Sequence, residues 1–290
     1  MGALLLVIVP VLYSFQTLFC KLFSDRYSGR KDLATPVFCV FEGIFITIFT
    51  WVNNGFVFDP SWGTILIGLL NAVALLGYNT CLIKASALGS YAFVNVIQLF
   101  GGLLLPSLYS VIVLGDSIGI LQIAGIGVML LACVAMNIEG IQLKGTPLIY
   151  YVMCLLLFVC NGMYSVLLKV QDAFSADQSN EMVMITFGVM GVIAALQLKR
   201  KEKGHTLAAF KLDRHSIIPL LLCLFSAATA INLLVVVLNQ MKATVVYTVN
   251  NGGVLVLSWL YSIVIFKEKI TLSSVIGVLL AVGSIVMMSV

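Results

Sequence analysis

Apolar residues along this chain come in long unbroken blocks, neither alternating nor confined to one stripe of a helix. Ten blocks stand out, at about residues 2–24, 35–53, 62–86, 90–114, 118–138, 147–171, 181–198, 216–238, 242–266 and 270–290. Each is close to the roughly 20 mostly apolar residues that a helix needs to cross about 30 Å of hydrocarbon. The corners between them carry turn formers and charges: Ser28-Gly29, Asp59-Pro60-Ser61, Gly115-Asp116 and Gly145-Thr146-Pro147. Trp51 and Trp62 bracket one corner, as amphipathic rings do at the headgroup level. No block has the alternation of a barrel strand, and backbone groups left unpaired in hydrocarbon are expensive. The pattern therefore predicts helices throughout.

The pattern also repeats. At a single offset of about 150 residues, Leu108-Tyr109-Ser110-Val111-Ile112-Val113 falls on Leu260-Tyr261-Ser262-Ile263-Val264-Ile265, Asp116 on Glu268, Gly125 on Gly277 and Gln98 on Asn250. The predicted fold is an all-α integral membrane protein of ten transmembrane helices, built as two five-helix repeats over residues 1–140 and 145–290. Five is odd, so the second copy enters the bilayer from the opposite face and the repeats are inverted. Two inverted halves have two related packings, and exchanging them opens a central site to one side and then the other.

Composition agrees with this reading. Hydrophobic residues make up 61% and charged residues 10% of the 290, with a mean hydropathy of +1.11; soluble domains hold about 45–50% and 25%. The net charge of +4 is segregated, with a block at Lys199-Arg200-Lys201-Glu202-Lys203 followed by Lys211 and Arg214. Beside a span such a block reads as a cytoplasmic-side anchor, and no nucleic-acid partner is expected. Basic residues favour the odd-numbered corners, which puts both termini outside. Seven scattered cysteines read as small apolar residues with no disulfide frame, and the first block, Ala3 to Phe23, reads as a permanent helix.

A charge inside a span costs about 2.5–3.5 kcal/mol on insertion scales, so each needs a reason. Glu42 lies two turns into the second block, and Lys21 lies at a comparable depth below the same corner on the first. Two roles are open to them: an ion pair joining the helices, or a substrate or proton site. Lys169, with Asp172 three residues on, reads as snorkelling to the interface. Uncharged polar residues gather near mid-bilayer: Tyr78 and Asn79, Asn95 and Gln98, Asn232, and Tyr247, Asn250 and Asn251. Asn95 and Gln98 share a helix face, as do Tyr247 and Asn250, and the offset places one pair on the other. Asn161 with Tyr164, and Tyr13 with Gln16, have the same spacing. Such faces either line a cavity or bond helix to helix, the latter worth about 0.6 kcal/mol each. Pro10, Gly101, Gly102, Pro106, Gly252 and Gly253 are candidate hinges, with plain packing as the alternative.

In helix number, duplication and the acidic corner Phe266-Lys267-Glu268-Lys269-Ile270-Thr271 running into Gly277 and Gly283, the chain resembles the drug/metabolite transporter superfamily, ten-helix EamA type. The first copy, Leu114-Gly115-Asp116-Ser117-Ile118, carries Asp in place of the motif's Glu. The resemblance implies export and cytoplasmic termini, opposite to the charge bias. Four-helix relatives exchange protons on a glutamate in the first helix, and here that helix has no acid.

These observations predict a secondary transporter of small neutral or zwitterionic metabolites, such as amino acids, by alternating access in the cell membrane. An uncharged, amide-rich lining favours such solutes. A proton-coupled cation exporter using Glu42, and a non-transporting membrane scaffold, are the alternatives. No nucleophile, metal spacing or phosphate loop is visible, so neither catalysis nor a cofactor is expected. The expected partners are the solute and the bilayer, and two complete halves make an oligomer unnecessary.

Overall fold

The structure, a computed structural model, describes residues 2–27, 29–115, 119–142, 147–202, 210, 212–238 and 243–288. Among them are ten long helices: α1 (Gly2–Arg26), α2 (Ala34–Asn53), α3 (Trp62–Leu88), α4 (Tyr91–Tyr109), α5 (Ile120–Gln142), α6 (Leu148–Ser175), α7 (Ser179–Glu202), α8 (Arg214–Leu238), α9 (Ala243–Val264) and α10 (Leu272–Met288). Each grows from one of the ten apolar blocks. α7 continues past its block through Lys199 and Arg200, whose charges need water rather than lipid. α4 widens into a π-helical turn over Ser110–Leu114, just after Pro106. Proline lacks the N–H that would bond one turn back, which loosens the ladder at that point.

Among the described residues six stretches have the length and hydropathy to cross a membrane, and one of them, Leu148–Lys201, runs through both α6 and α7. Ile120–Ala135, Val249–Val264 and Leu272–Met287 are shorter apolar helices. The outward faces are apolar as well: Leu155, Leu156 and Val159 on α6, Val192 and Leu196 on α7, and Leu221, Leu222 and Phe225 on α8 are all exposed. A contiguous apolar exterior is a surface for lipid tails.

Helices that follow one another in sequence pack little against each other. α1 lies mainly on α8 and α9, α2 on α7, α3 on α6 and α7, α4 on α6, and α5 on α10. Small residues set the crossings. A Cβ on Gly43 would stand 2.7 Å from the Phe187 carbonyl oxygen and 2.8 Å from Gly191 Cα, so the backbones of α2 and α7 touch there. Gly101 meets the Phe158 backbone of α6 in the same way, and a Cβ on Gly253 would come 2.8 Å from Pro10 Cβ. The main core joins Phe23, Phe38, Leu75, Leu157, Met190 and Leu224 from α1, α2, α3, α6, α7 and α8. A second core, with Phe100, Met129, Leu255 and Ala281, joins α4, α5, α9 and α10.

Hydrogen bonds tie the corners. Asn54 Nδ2 donates to Glu181 Oε1 at 3.0 Å, and Gln178 Oε1 accepts from Ser61 N at 3.0 Å and Thr64 Oγ1 at 2.7 Å, holding the α2–α3 corner against the start of α7. At the start of α8, Asp213 Oδ1 accepts from Ser216 N at 2.9 Å and from the Ser216 hydroxyl, which also donates to the Arg26 carbonyl at 2.9 Å. The Ser216 hydroxyl hydrogen bond holds the exposed Asp213 carboxyl below the usual carboxylate range. The sign follows from the lowered pKa: the cap's contribution is complete above the ordinary carboxylate pKa and is lost as pH falls through the lowered one. Protection from hydrogen exchange in the first turn of α8, taken relative to the intrinsic rate at each pH, is accordingly expected to fall on acidification in the wild type, and to be low and independent of pH in Asp213→Ala.

Candidate functional site

Two polar clusters lie inside the bundle. The first centres on Glu42, whose residue is only 2% exposed although it stands mid-way along α2. Asn79 of α3 donates from Nδ2 to Glu42 Oε2 at 2.5 Å. The same nitrogen lies 3.7 Å from Cys39 Sγ and 3.5 Å from Met190 Sδ of α7. Tyr78 and Tyr164, both half-buried, pack against the core that holds these residues. Cys20 and Cys223 belong to it too, and Cys223 Sγ donates to the Gln16 carbonyl at 3.3 Å. Among the described residues no cysteine forms a disulfide.

Lys21 is not Glu42's partner. Its ammonium sits 4.1 Å from the Phe266 ring centroid and 5.2 Å from that of Tyr91, a cation–π position at the α9–α10 corner. The expected ion pair assumed that successive helices face each other. α1 instead lies against α8 and α9 while α2 lies against α7, so equal depth in the bilayer does not bring the two charges together. Among the described residues the one ion pair within bonding distance is the exposed Arg30–Asp32, at 3.0 Å.

The second cluster lies where α1, α4 and α9 cross. The Tyr91 hydroxyl donates to Thr17 Oγ1 at 2.9 Å, Thr17 donates to the Ser14 carbonyl at 3.0 Å, and Ser14 Oγ lies 3.2 Å from the Tyr261 hydroxyl. Asn95 is fully buried, with Nδ2 on the Tyr91 carbonyl at 2.8 Å and Oδ1 without a partner. Gln98 Oε1, Asn250 Oδ1 and Ser258 Oγ are likewise buried and unpartnered. Asn161 donates to the Gln98 carbonyl at 2.6 Å.

Other expected positions fall elsewhere. Asn232 accepts from Asn53 Nδ2 at 2.9 Å, so it lies at the end of α2, away from Glu42. Asn251 is half-buried on α9, and the side chain of Tyr247 lies outside the described residues. Of the candidate hinges, Gly101 and Gly253 are points of tight contact, Gly102 faces Asn161 Nδ2, and Gly252 has open space beside it. Pro10 and Pro106 both lie inside helices. Two outer grooves, of about 320 and 330 Å³, open between α2 and α8 and beside Trp51; both are lined mainly by apolar residues and neither includes the expected polar positions.

The sequence reading assigned no role to Tyr91, Thr17 or Ser258, and gave Glu268 no partner. Glu268 Oε1 accepts from Tyr91 N at 2.7 Å and Oε2 from Ser90 Oγ at 3.0 Å, so the acidic corner of the second half caps the helix α4 of the first.

Residues 148–290 match the EamA-like transporter family. By this match the second half of the chain is EamA-like. With its apolar helices, the match to this family of the drug/metabolite transporter superfamily makes the protein a multi-pass membrane protein. The matched span holds α6 to α10, and with them Glu268 and its glycine-rich helix. One solved crystal structure superposes on 99% of this EamA-like chain and 95% of its own, with a TM-score of 0.61 at 15% identity, which shows a shared fold. No curated protein matches it.

Proposed function

We propose that this EamA-like protein is a secondary transporter that moves small neutral or zwitterionic metabolites outward across the cell membrane by alternating access. On this reading all ten helices span the bilayer, residues 1–140 and 145–290 form inverted repeats, and one copy suffices. The supporting observation is that helix contacts recur when each helix is exchanged for the one five places on. The α1·α8 packing has its counterpart in α3·α6 and the α1·α9 packing in α4·α6, while α2·α7 and α5·α10 map onto themselves. Single residues follow the rule: Gly101 on Phe158 corresponds to Gly253 on Pro10, and Gly43 on Gly191 lies at the pseudo-axis. Such pseudo-symmetry is what gives one sequence two related packings.

The unpartnered groups support the proposed solute class. Asn95 Oδ1, Gln98 Oε1 and Asn250 Oδ1 are acceptors, and burying an acceptor unpaired costs about 1–3 kcal/mol. A solute bringing N–H donors, such as the ammonium of an amino acid, would meet that need.

Purified protein in proteoliposomes is expected to take up a radiolabelled L-amino acid mixture saturably, and Asn95→Ala should reduce that uptake. Cysteines placed at Asn95 and Asn250 should react with polar thiol reagents, and more slowly when the amino acids are present. Unreactive cysteines in a protein that moves no label would favour a packed scaffold.

A further inference from the structure

We infer that Lys21 binds the carboxylate of the exported solute, so that the site selects molecules carrying a free carboxylate together with an ammonium; this rests on the transport reading above. Two complementary deficits flank one ring, that of Tyr91. Over its face, in company with Phe266, stands the Lys21 ammonium, 5.2 Å from the Tyr91 centroid and 4.1 Å from that of Phe266. Around its hydroxyl stand Thr17, Asn95 and Ser258.

An ammonium has three N–H donors, and aromatic rings attract its charge without replacing the oxygen acceptors that water would offer. Among the described residues no carboxylate lies within ion-pair distance of Lys21. Glu268, the acid of that corner, accepts from Tyr91 N on one oxygen and from Ser90 Oγ on the other. The lysine is thus half-buried against a fully buried tyrosine, and its charge meets no anion there.

At the hydroxyl end the shortage is reversed. The Thr17 proton goes to the Ser14 carbonyl and the Tyr91 proton to Thr17. Neither is left for Asn95 Oδ1, and Ser258 Oγ is also buried without a partner. Thr17 and Lys21 are four apart on α1, and Tyr91 and Asn95 four apart on α4, so each pair lies on one helix face. A donor without acceptors and acceptors without a donor therefore share the crossing of α1, α4 and α9.

A solute that bridges them brings an anion to Lys21 and N–H donors to Asn95 and Ser258. A zwitterion does both on one small frame and adds no net charge inside the bilayer, where an uncompensated charge is costly. An amine alone sets a second cation beside Lys21, and a carboxylate alone leaves the oxygens unpaired. The rings hold the ammonium until a carboxylate takes it.

The test uses the whole chain in proteoliposomes, wild type beside Lys21→Gln and Lys21→Arg, with a radiolabelled L-amino acid mixture as the probe. The unlabelled competitors are the same amino acids, their amides, which keep the ammonium, and their N-acetyl derivatives, which keep the carboxylate. Wild type should prefer the free amino acids to either by about 10- to 100-fold, the scale of a hydrogen bond to a charged group. Lys21→Gln should raise the half-competing concentration of free amino acids by that factor and leave that of the amides unchanged, and Lys21→Arg should restore most of the preference. Amides or N-acetyl derivatives that compete as well as free amino acids in wild type overturn the proposal. So does an equal weakening of amino acids and amides in Lys21→Gln, which marks a packing role. Should Lys21→Gln fail to fold, Lys21→Met, which keeps a stem of similar length over the rings, takes its place in the same comparison. If no label moves through wild type, the transport reading fails and melting temperatures in detergent decide the carboxylate site alone. Stabilisation by free amino acids and not by amides, absent from Lys21→Gln, upholds it; no difference between the two ligands in wild type overturns it.

Discussion

Replacing Gly43 by leucine is expected to destabilise the protein severely. The added Cβ alone would come 2.7 Å from the Phe187 carbonyl oxygen and 2.8 Å from Gly191 Cα, and both are backbone atoms of α7. A side chain in the way could rotate, whereas a backbone can yield only by moving the helix. Overpacking of this kind typically costs about 1–3 kcal/mol and more where nothing can shift. Separating α2 from α7 would also pull Met190 away from Asn79, and so disturb the site one residue before Gly43. Gly127→Leu is the control, since a Cβ there meets nothing within 4 Å, and surface changes usually stay within about 0.5 kcal/mol. Thermal unfolding in detergent should place Gly43→Leu far below both wild type and Gly127→Leu. Coincident melting of all three would mean that α2 and α7 do not cross at this pair.

The contrast between Gly43 and Glu42 shows what the chain's pattern could and could not reveal. Helix positions were legible because a bilayer of fixed thickness imposes their length: the block at 35–53 and helix Ala34–Asn53 differ by one residue at one end. That Glu42 lies buried in a span was legible for the same reason. Its partner was not, because hydropathy gives depth and says nothing of azimuth, or of which helices are neighbours in space. Lys21 has the right depth, yet α1 lies on α8 and α9. Asn79, more than thirty residues along, is the residue that reaches Glu42. The repeat offset carried more of the three-dimensional arrangement. It paired Gln98 with Asn250, and both have buried, unpartnered amide oxygens. Asn232, selected by depth without a repeat mate, lies instead beside Asn53 at a helix end.

Glu268→Ala is the second change expected to act strongly, since this carboxylate joins the two halves of the sequence. Its two oxygens accept from Tyr91 N and Ser90 Oγ, at the first turn of α4, where helix N–H groups have no intrahelical acceptor. An acid there also meets the positive end of the helix dipole, and loss of such a cap costs about 0.5–2 kcal/mol. The effect should spread beyond the cap. The Tyr91 ring lies 5.0 Å from that of Phe266, and its hydroxyl reaches Thr17, so the same residue anchors the α9–α10 corner and α1. Phe266 in turn carries the Lys21 ammonium over its ring. Removing the carboxylate leaves Lys21 without the acid of that corner, which the aromatic rings alone do not replace. Amide exchange in the first turn of α4 should therefore rise in Glu268→Ala, and a cysteine at Thr17 should become more reactive to polar reagents. Glu268→Gln keeps an acceptor oxygen but not the charge, so its exchange should fall between the two. Equal exchange in all three proteins would show that the corner does not hold α4. Faster exchange in Glu268→Ala with no change at Thr17 would confine the residue's role to capping.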